Sequence, residues 1–299
     1  MIRRPLVRAL AAVTAALALA GCAGGAPVAE PAAPALAVDP ALQAMLPDDV
    51  RRAGRLVVAT DPSYPPASYY AADGRTIVGF EPDLGKGLGE LLGVEVEFRA
   101  AAFDGLLTDL GDRRFDAVMS AMTHTPERQD QADFVTYFEA GTSIVARRGN
   151  PHAIHDLEDL CGRTVAVEEG TVQIDLLERS SEAHCATPIR VETFPTNDDA
   201  LLELRTGRAA AVLNDYPPAV YMTTAEQTRA SYQLVSDVQY EPGLYGIAVA
   251  RDRAELRDAL AAALAVLVEN GRYEQVLDRW EVTSGAVQTV TVNGAPVTR

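Results

Sequence analysis

Positive charge is in short supply in this chain. Against 42 acidic residues it carries 26 basic ones, a formal charge of −16, and lysine occurs once, at Lys86. No basic run is dense enough to follow a phosphate backbone, which removes nucleic acid from the candidate partners. Cysteine is scarce too: three residues in 299, too few for a cysteine-stapled scaffold or a thiolate metal cluster. His124, His152, His155 and His184 are scattered, two of them beside Pro151 in a loop, so neither a metal nor any other cofactor is expected. No apolar run is long enough to cross a bilayer.

The N-terminus reads as an address. Arg3, Arg4 and Arg8 precede an apolar stretch over residues 9–20, the layout of a secretory signal. The stretch ends in Leu19-Ala20-Gly21-Cys22, which resembles the lipobox of bacterial lipoproteins, where the cysteine is lipidated and becomes the first mature residue. Residues 1–21 are therefore expected as signal peptide, and residues 22–52, opening with Ala, Pro and Gly, as a lipidated tether. In polyproline form, at about 3.1 Å per residue, its first part would reach on the order of 45 Å. An exported protein, lipid-anchored to the outer face of the cell membrane, follows. Cys161 and Cys185 remain, an even number in an oxidising compartment, and are expected to form one disulfide.

Hydrophobic residues make up 48% of the chain, enough for a proper core. From residue 56 short apolar strands alternate with helical patterns: strand 56–60, a helix opened by Gly79-Phe80-Glu81-Pro82-Asp83-Leu84, strand 94–98, helix 104–110 and strand 115–119. The series restarts with strand 163–167, a helix through 177, strand 189–194, helix 197–205 and strand 210–213, then strand 245–250 and a helical region over 254–280. Alternation of this kind predicts α/β architecture with mostly parallel sheets flanked by helices.

In open α/β sheets ligands bind beyond the carboxyl ends of the strands. There the sequence places Asp61 and Tyr64, Phe103 in another loop, then Ala121, Thr123 and Arg128, Thr171 at a helix start, and Asp215. Thr125 is a suitable N-cap and Pro126 a suitable first helical residue, so Arg128 falls in a first turn from which it can fold back. Its guanidinium matches a carboxylate in two hydrogen bonds. Taken alone, the same segment is a strand-to-helix turn with a solvated arginine, Asp215 a helix cap and Tyr64 a core residue. Together they make a poor hydrolytic site and a good cradle for an amino acid.

These residues resemble those of the amino-acid-binding proteins of ABC importers, the family 3 solute-binding proteins. Residues 79–84 resemble that family's Gly-Phe-Asp-x-Asp-Leu signature, with Pro82 where an aliphatic residue is commoner, and the resemblance runs over roughly residues 55–280. It implies a two-lobe periplasmic-binding-protein fold of type II: residues 53–142 with 245–282 in one lobe, 143–244 in the other, hinged at crossing segments near 140–147 and 240–246, and a short polar tail at 283–299. It implies that Arg128 grips the ligand α-carboxylate with the backbone N–H groups of Thr123 and of Val172 beside Thr171. Asp215 would take the α-ammonium together with the Ala121 carbonyl and the Thr123 hydroxyl, and Tyr64 and Phe103 would sandwich the aliphatic part. Asp61 and Glu168 would read the ligand side chain, and two acids there favour a cationic amino acid, arginine or lysine, with glutamine next. A monomer that hands its ligand to a permease in the cytoplasmic membrane is implied. The same fold also serves enzymes such as cyclohexadienyl dehydratases and lytic transglycosylases, where Glu168 would be a general acid, and ligand-sensing domains.

Overall fold

The computed structural model describes residues 35–297. The signal peptide at 1–21, Cys22 and the tether as far as residue 34 lie outside the described residues. Residues 40–52, assigned above to the tether, are instead folded into α1 (Pro40–Met45) and α2 (Asp48–Ala53). Asp39 caps α1 by accepting from the Ala41 and Leu42 N–H groups at 2.9 and 3.3 Å. Leu42, Leu46 and Val50 recur every four residues and are buried in the main core, so an Ala- and Pro-rich composition concealed an apolar helical stripe.

β1 (Arg55–Thr60) is buried from Leu56 onward, as a strand covered on both faces must be. A small antiparallel sheet of β2 (Ser63–Tyr64), β3 (Ser68–Tyr70) and β4 (Ile77–Val78) leads into α3 (Phe80–Leu92). The glycines of α3 are contact surfaces. A Cβ on Gly85 would stand 2.5 Å from the Phe98 ring, and one on Gly89 2.6 Å from the Val94 carbonyl. The helix therefore lies closer to β5 (Glu95–Ala100) than any side chain would permit, which offsets the roughly 1 kcal/mol each glycine costs in helix propensity. α4 (Leu106–Gly111), β6 (Ala117–Val118) and the single turn α5 (Pro126–Gln129) follow.

β7 (Ala132–Arg147) is an unbroken strand of 16 residues that the sequence pattern did not disclose. Beyond it come β8 (Thr164–Glu168), α6 (Val172–His184), β9 (Arg190–Phe194), α7 (Asn197–Thr206), β10 (Ala211–Asp215), α8 (Tyr216–Thr224) and β11 (Tyr232–Leu234), before β12 (Tyr240–Ala250) returns. The helical region expected over 254–280 is broken at Gly271, where φ is 77°, into α9 (Ala254–Glu269) and α10 (Arg272–Arg279). The tail, given no role above, packs onto the first lobe. Val287 and Val290 are buried in its core, and β13 (Thr291–Val292) pairs with β14 (Ala295–Pro296) and with β7.

The large sheet has the order β5-β1-β6-β12-β7-β10-β8-β9. β5, β1 and β6 are mutually parallel, as are β10, β8 and β9, while β7 and β12 are antiparallel to their neighbours and to each other. These two strands join the lobes: Ala140 belongs to the core of the first and Ile144 to that of the second. Their pairing slips between Tyr240 and Gly243 and again between Tyr245 and Gly246, which puts bulges in the crossing. The disulfide Cys161–Cys185, with Cα atoms 5.3 Å apart, ties the end of α6 back to the turn before β8 within the second lobe.

Candidate functional site

The carboxyl ends of β1, β6, β8 and β10 open into one cleft of about 340 Å3, solvent-open space included, near the lower end of the size range of small-molecule sites. Asp61, Tyr64, Phe103, Ala121, Thr123, Arg128, Glu168, Thr171, Val172 and Asp215, the ligand contacts inferred from the sequence, all line it, together with Ser120 and Gln173.

The first lobe supplies a preset wall. Just past β1, Asp61 accepts from the Ser63 and Phe103 N–H groups at 2.9 and 3.3 Å, and its own N–H donates to Ser120 Oγ. After β6 the chain turns through Ala121 at φ 46°, a left-handed conformation uncommon for a residue with a Cβ. It is held there from behind: the Ala121 N–H donates to Glu81 Oε1 at 2.6 Å, and Glu81, fully buried, also accepts from the Ser68 and Tyr137 hydroxyls. Glu81, in the first turn of α3, is thus a buried brace for the binding loop. Thr125 caps α5 by accepting from the Arg128 N–H. The Arg128 side chain then folds back, donating to the Thr123 carbonyl at 2.7 Å, with its guanidinium carbon 5.4 Å from the centre of the Phe103 ring. Burial pushes this guanidinium down to about 10, against the pull of Asp215 and other acids.

The second lobe supplies two more acids. Asp215, at the end of β10, accepts from Gln173 Nε2 at 2.8 Å and from the Tyr245 hydroxyl at 2.5 Å. Gln173 and Tyr245 escaped the sequence reading, because a glutamine in a helix's first turn and a tyrosine in an apolar strand carry no local signal. Burial pushes Asp215 up to about 6, although these donors and Arg128 favour its charge. Glu168, the last residue of β8, is 6% exposed, and its Oε1 makes no hydrogen bond. Burial, followed by the charges of Asp61, Asp198 and Asp215, pushes it up to about 9. The Thr171 hydroxyl is occupied in donating to the Glu168 carbonyl at 2.8 Å, so what the first turn of α6 presents here is backbone.

Beside the Tyr245–Asp215 bond, further links cross between the lobes. The Asp215 N–H donates to the Tyr64 hydroxyl at 2.8 Å, Arg128 donates to the Gly170 carbonyl at 2.9 Å, and Asn197 donates to Ser63 through both backbone and side chain at 3.3 Å. The lobes are thus drawn together over the cleft. Among the described residues no group of His, Cys, Asp and Glu is disposed to hold a metal ion, and no helix is long and apolar enough to cross a membrane.

The sequence matches the model of a family described as bacterial extracellular solute-binding proteins, family 3, over residues 56–283. Arginine-binding protein ArgT of Corynebacterium glutamicum is 29% identical over 262 residues, 86% of this chain and 84% of that one. ABC transporter arginine-binding protein 1 of Escherichia coli is 31% identical over 220 residues, 73% of this chain and 87% of that one. Among solved structures, an ancestral arginine-binding protein bound to glutamine has a TM-score of 0.70 at 33% identity, covering 77% of this chain and 98% of that one.

Proposed function

The chain belongs to the bacterial extracellular solute-binding proteins of family 3, and from that premise we propose that it captures a free amino acid with a cationic side chain, arginine or lysine ahead of glutamine. One observation carries the reading: the cleft sets a single guanidinium, Arg128, among the carboxylates of Asp61, Glu168 and Asp215. A ligand with one negative and two positive charges suits that set; a neutral or acidic side chain brings no counter-charge to a buried carboxylate.

Arg128 takes the α-carboxylate, aided by the backbone N–H groups of Thr123 and Val172. Asp215 takes the α-ammonium with the Ala121 carbonyl and the Thr123 hydroxyl. Tyr64 and Phe103 hold the aliphatic stem, leaving Asp61 and Glu168 for the distal cation. Charge-assisted hydrogen bonds are worth about 1.5–3 kcal/mol each, so a few of them with stacking supply the roughly 8.2 kcal/mol of a micromolar site. The closed protein, acting as a monomer tethered through lipidated Cys22 to the outer face of the membrane, delivers its ligand to an ABC permease and is not itself an enzyme. Arginine-binding relatives support the ligand class.

Titration calorimetry of the purified protein tests the ligand: arginine is expected to bind more tightly than glutamine, and glutamate binding more tightly than arginine refutes the proposal. The high proton affinity of Glu168 also suits a general acid, the basis for a dehydratase-like reading. Against it stands Asp215, a built partner for an α-ammonium. Turnover of prephenate or arogenate would decide for the enzyme.

A further inference from the structure

Glu168 is the least satisfied group in the cleft. Its side chain is almost wholly enclosed, Oε1 makes no hydrogen bond, and Thr171 reaches only its backbone carbonyl. The charged and titratable groups around it come from several elements. Asp61 follows β1, Asp215 ends β10, Asp198 lies in the first turn of α7, and Tyr64 faces it from β2. The Arg128 guanidinium lines the same cleft but gives its hydrogen bonds to the Thr123 and Gly170 carbonyls. A carboxylate walled in by carboxylates, with no donor of its own, is held in its neutral acid form.

Resting on the amino-acid-binding reading above, we propose that Glu168 selects for a cationic side chain by exchanging its proton for the ligand: it is a neutral acid in the ligand-free protein and a carboxylate, with one proton released to solvent, once a guanidinium or ammonium lies against it. The incoming cation takes over the electrostatic role of the departing proton, so the net charge of the enclosed site changes little while the ligand is gained. A neutral side chain such as that of glutamine meets the protonated acid as an ordinary hydrogen-bond partner and displaces nothing. The site thus has two modes, one proton-linked and one not, and pH sets the preference between them. Below the pH at which Glu168 ionises in the ligand-free protein, each unit of pH gained improves arginine affinity about tenfold relative to glutamine.

Calorimetry of the full chain, freed of ligand, with L-arginine and with L-glutamine at pH 7.5 in buffers of differing ionisation enthalpy, reads the released proton directly. About one proton per arginine and close to none per glutamine is expected, and the arginine dissociation constant should fall about tenfold between pH 7 and 8. The E168Q variant, its fold checked by a melting curve, should lose both the released proton and the pH slope for arginine. Arginine binding without proton release, or release that persists in E168Q, overturns the proton exchange and leaves the ligand class standing. Absence of binding by either amino acid overturns both.

Discussion

Replacing Tyr64 by Phe removes one hydroxyl and leaves the ring that faces the ligand. That hydroxyl accepts from the Asp215 N–H at 2.8 Å across the cleft, a bond that exists only while the lobes are together; when they part, water can serve both groups. A neutral hydrogen bond contributes about 0.5–1.5 kcal/mol net. On the proposed grip between closed lobes, the loss falls on the closing equilibrium and hence on affinity. Tyr64→Phe should therefore raise the dissociation constant for arginine about two- to thirteenfold, while thermal unfolding of the ligand-free protein stays within about 2 °C of the parent. Calorimetry and a melting curve on the same preparation decide the matter. An unchanged dissociation constant would show that the bond does not distinguish closed from open. A fall of about 2–4 °C or more in the ligand-free protein, the equivalent of 1 kcal/mol at this size, would assign it to the stability of the fold instead.

Arg128→Ala should abolish the roughly 2.7 kcal/mol of stabilisation given by ligand at a hundred times its dissociation constant, with the unliganded melting curve intact; a variant that merely unfolds would return Arg128 to a structural role. For pH, Glu168 ionises more readily unfolded than folded, because burial, followed by the charges of Asp61, Asp198 and Asp215, raises it in the folded protein to about 9. Its contribution to stability is therefore complete below the unfolded value and lost as pH rises through the folded one. The ligand-free protein should accordingly lose stability from pH 6 to 9, and E168Q should flatten that slope in urea titrations. Reduction of Cys161–Cys185, which are 24 residues apart in sequence, should cost about 3–4 kcal/mol by the loop-closure relation, read as a lower urea midpoint with and without reductant.

Much of the cleft was legible because its residues stand at strand ends, where an α/β fold must leave backbone and short polar side chains free. What was not legible divides by cause. β7 is buried on both faces along almost its whole length, so it shows no alternation, and a strand that passes through two cores looks like two unrelated apolar patches. Glu81 and Tyr245 act on the site from behind and Gln173 from its wall, through contacts 40, 30 and 42 residues away in sequence respectively, and nothing in their neighbourhoods marks them. The helices over 40–53 were readable: Asp39-Pro40 followed by Leu42, Leu46 and Val50 has the capping residue and the period, and composition obscured both.

Both ends of the described chain rest on the first lobe. The Leu36 N–H donates to Glu90 of α3 at 2.9 Å and the Asp39 N–H to the Leu91 carbonyl at 2.9 Å, while β13 lies along β7 beside Val135. The second lobe enters through β7 and leaves through β12, and carries neither end. On the proposed closure the molecule works as a vice with a stationary jaw and a travelling one, and both ends of the described chain are bolted to the stationary jaw. The travelling jaw can swing without dragging a load or stretching any backbone outside those two strands. A reporter fused at an end would ride still through every cycle, whereas one attached at Leu202, exposed on α7, would register each closure.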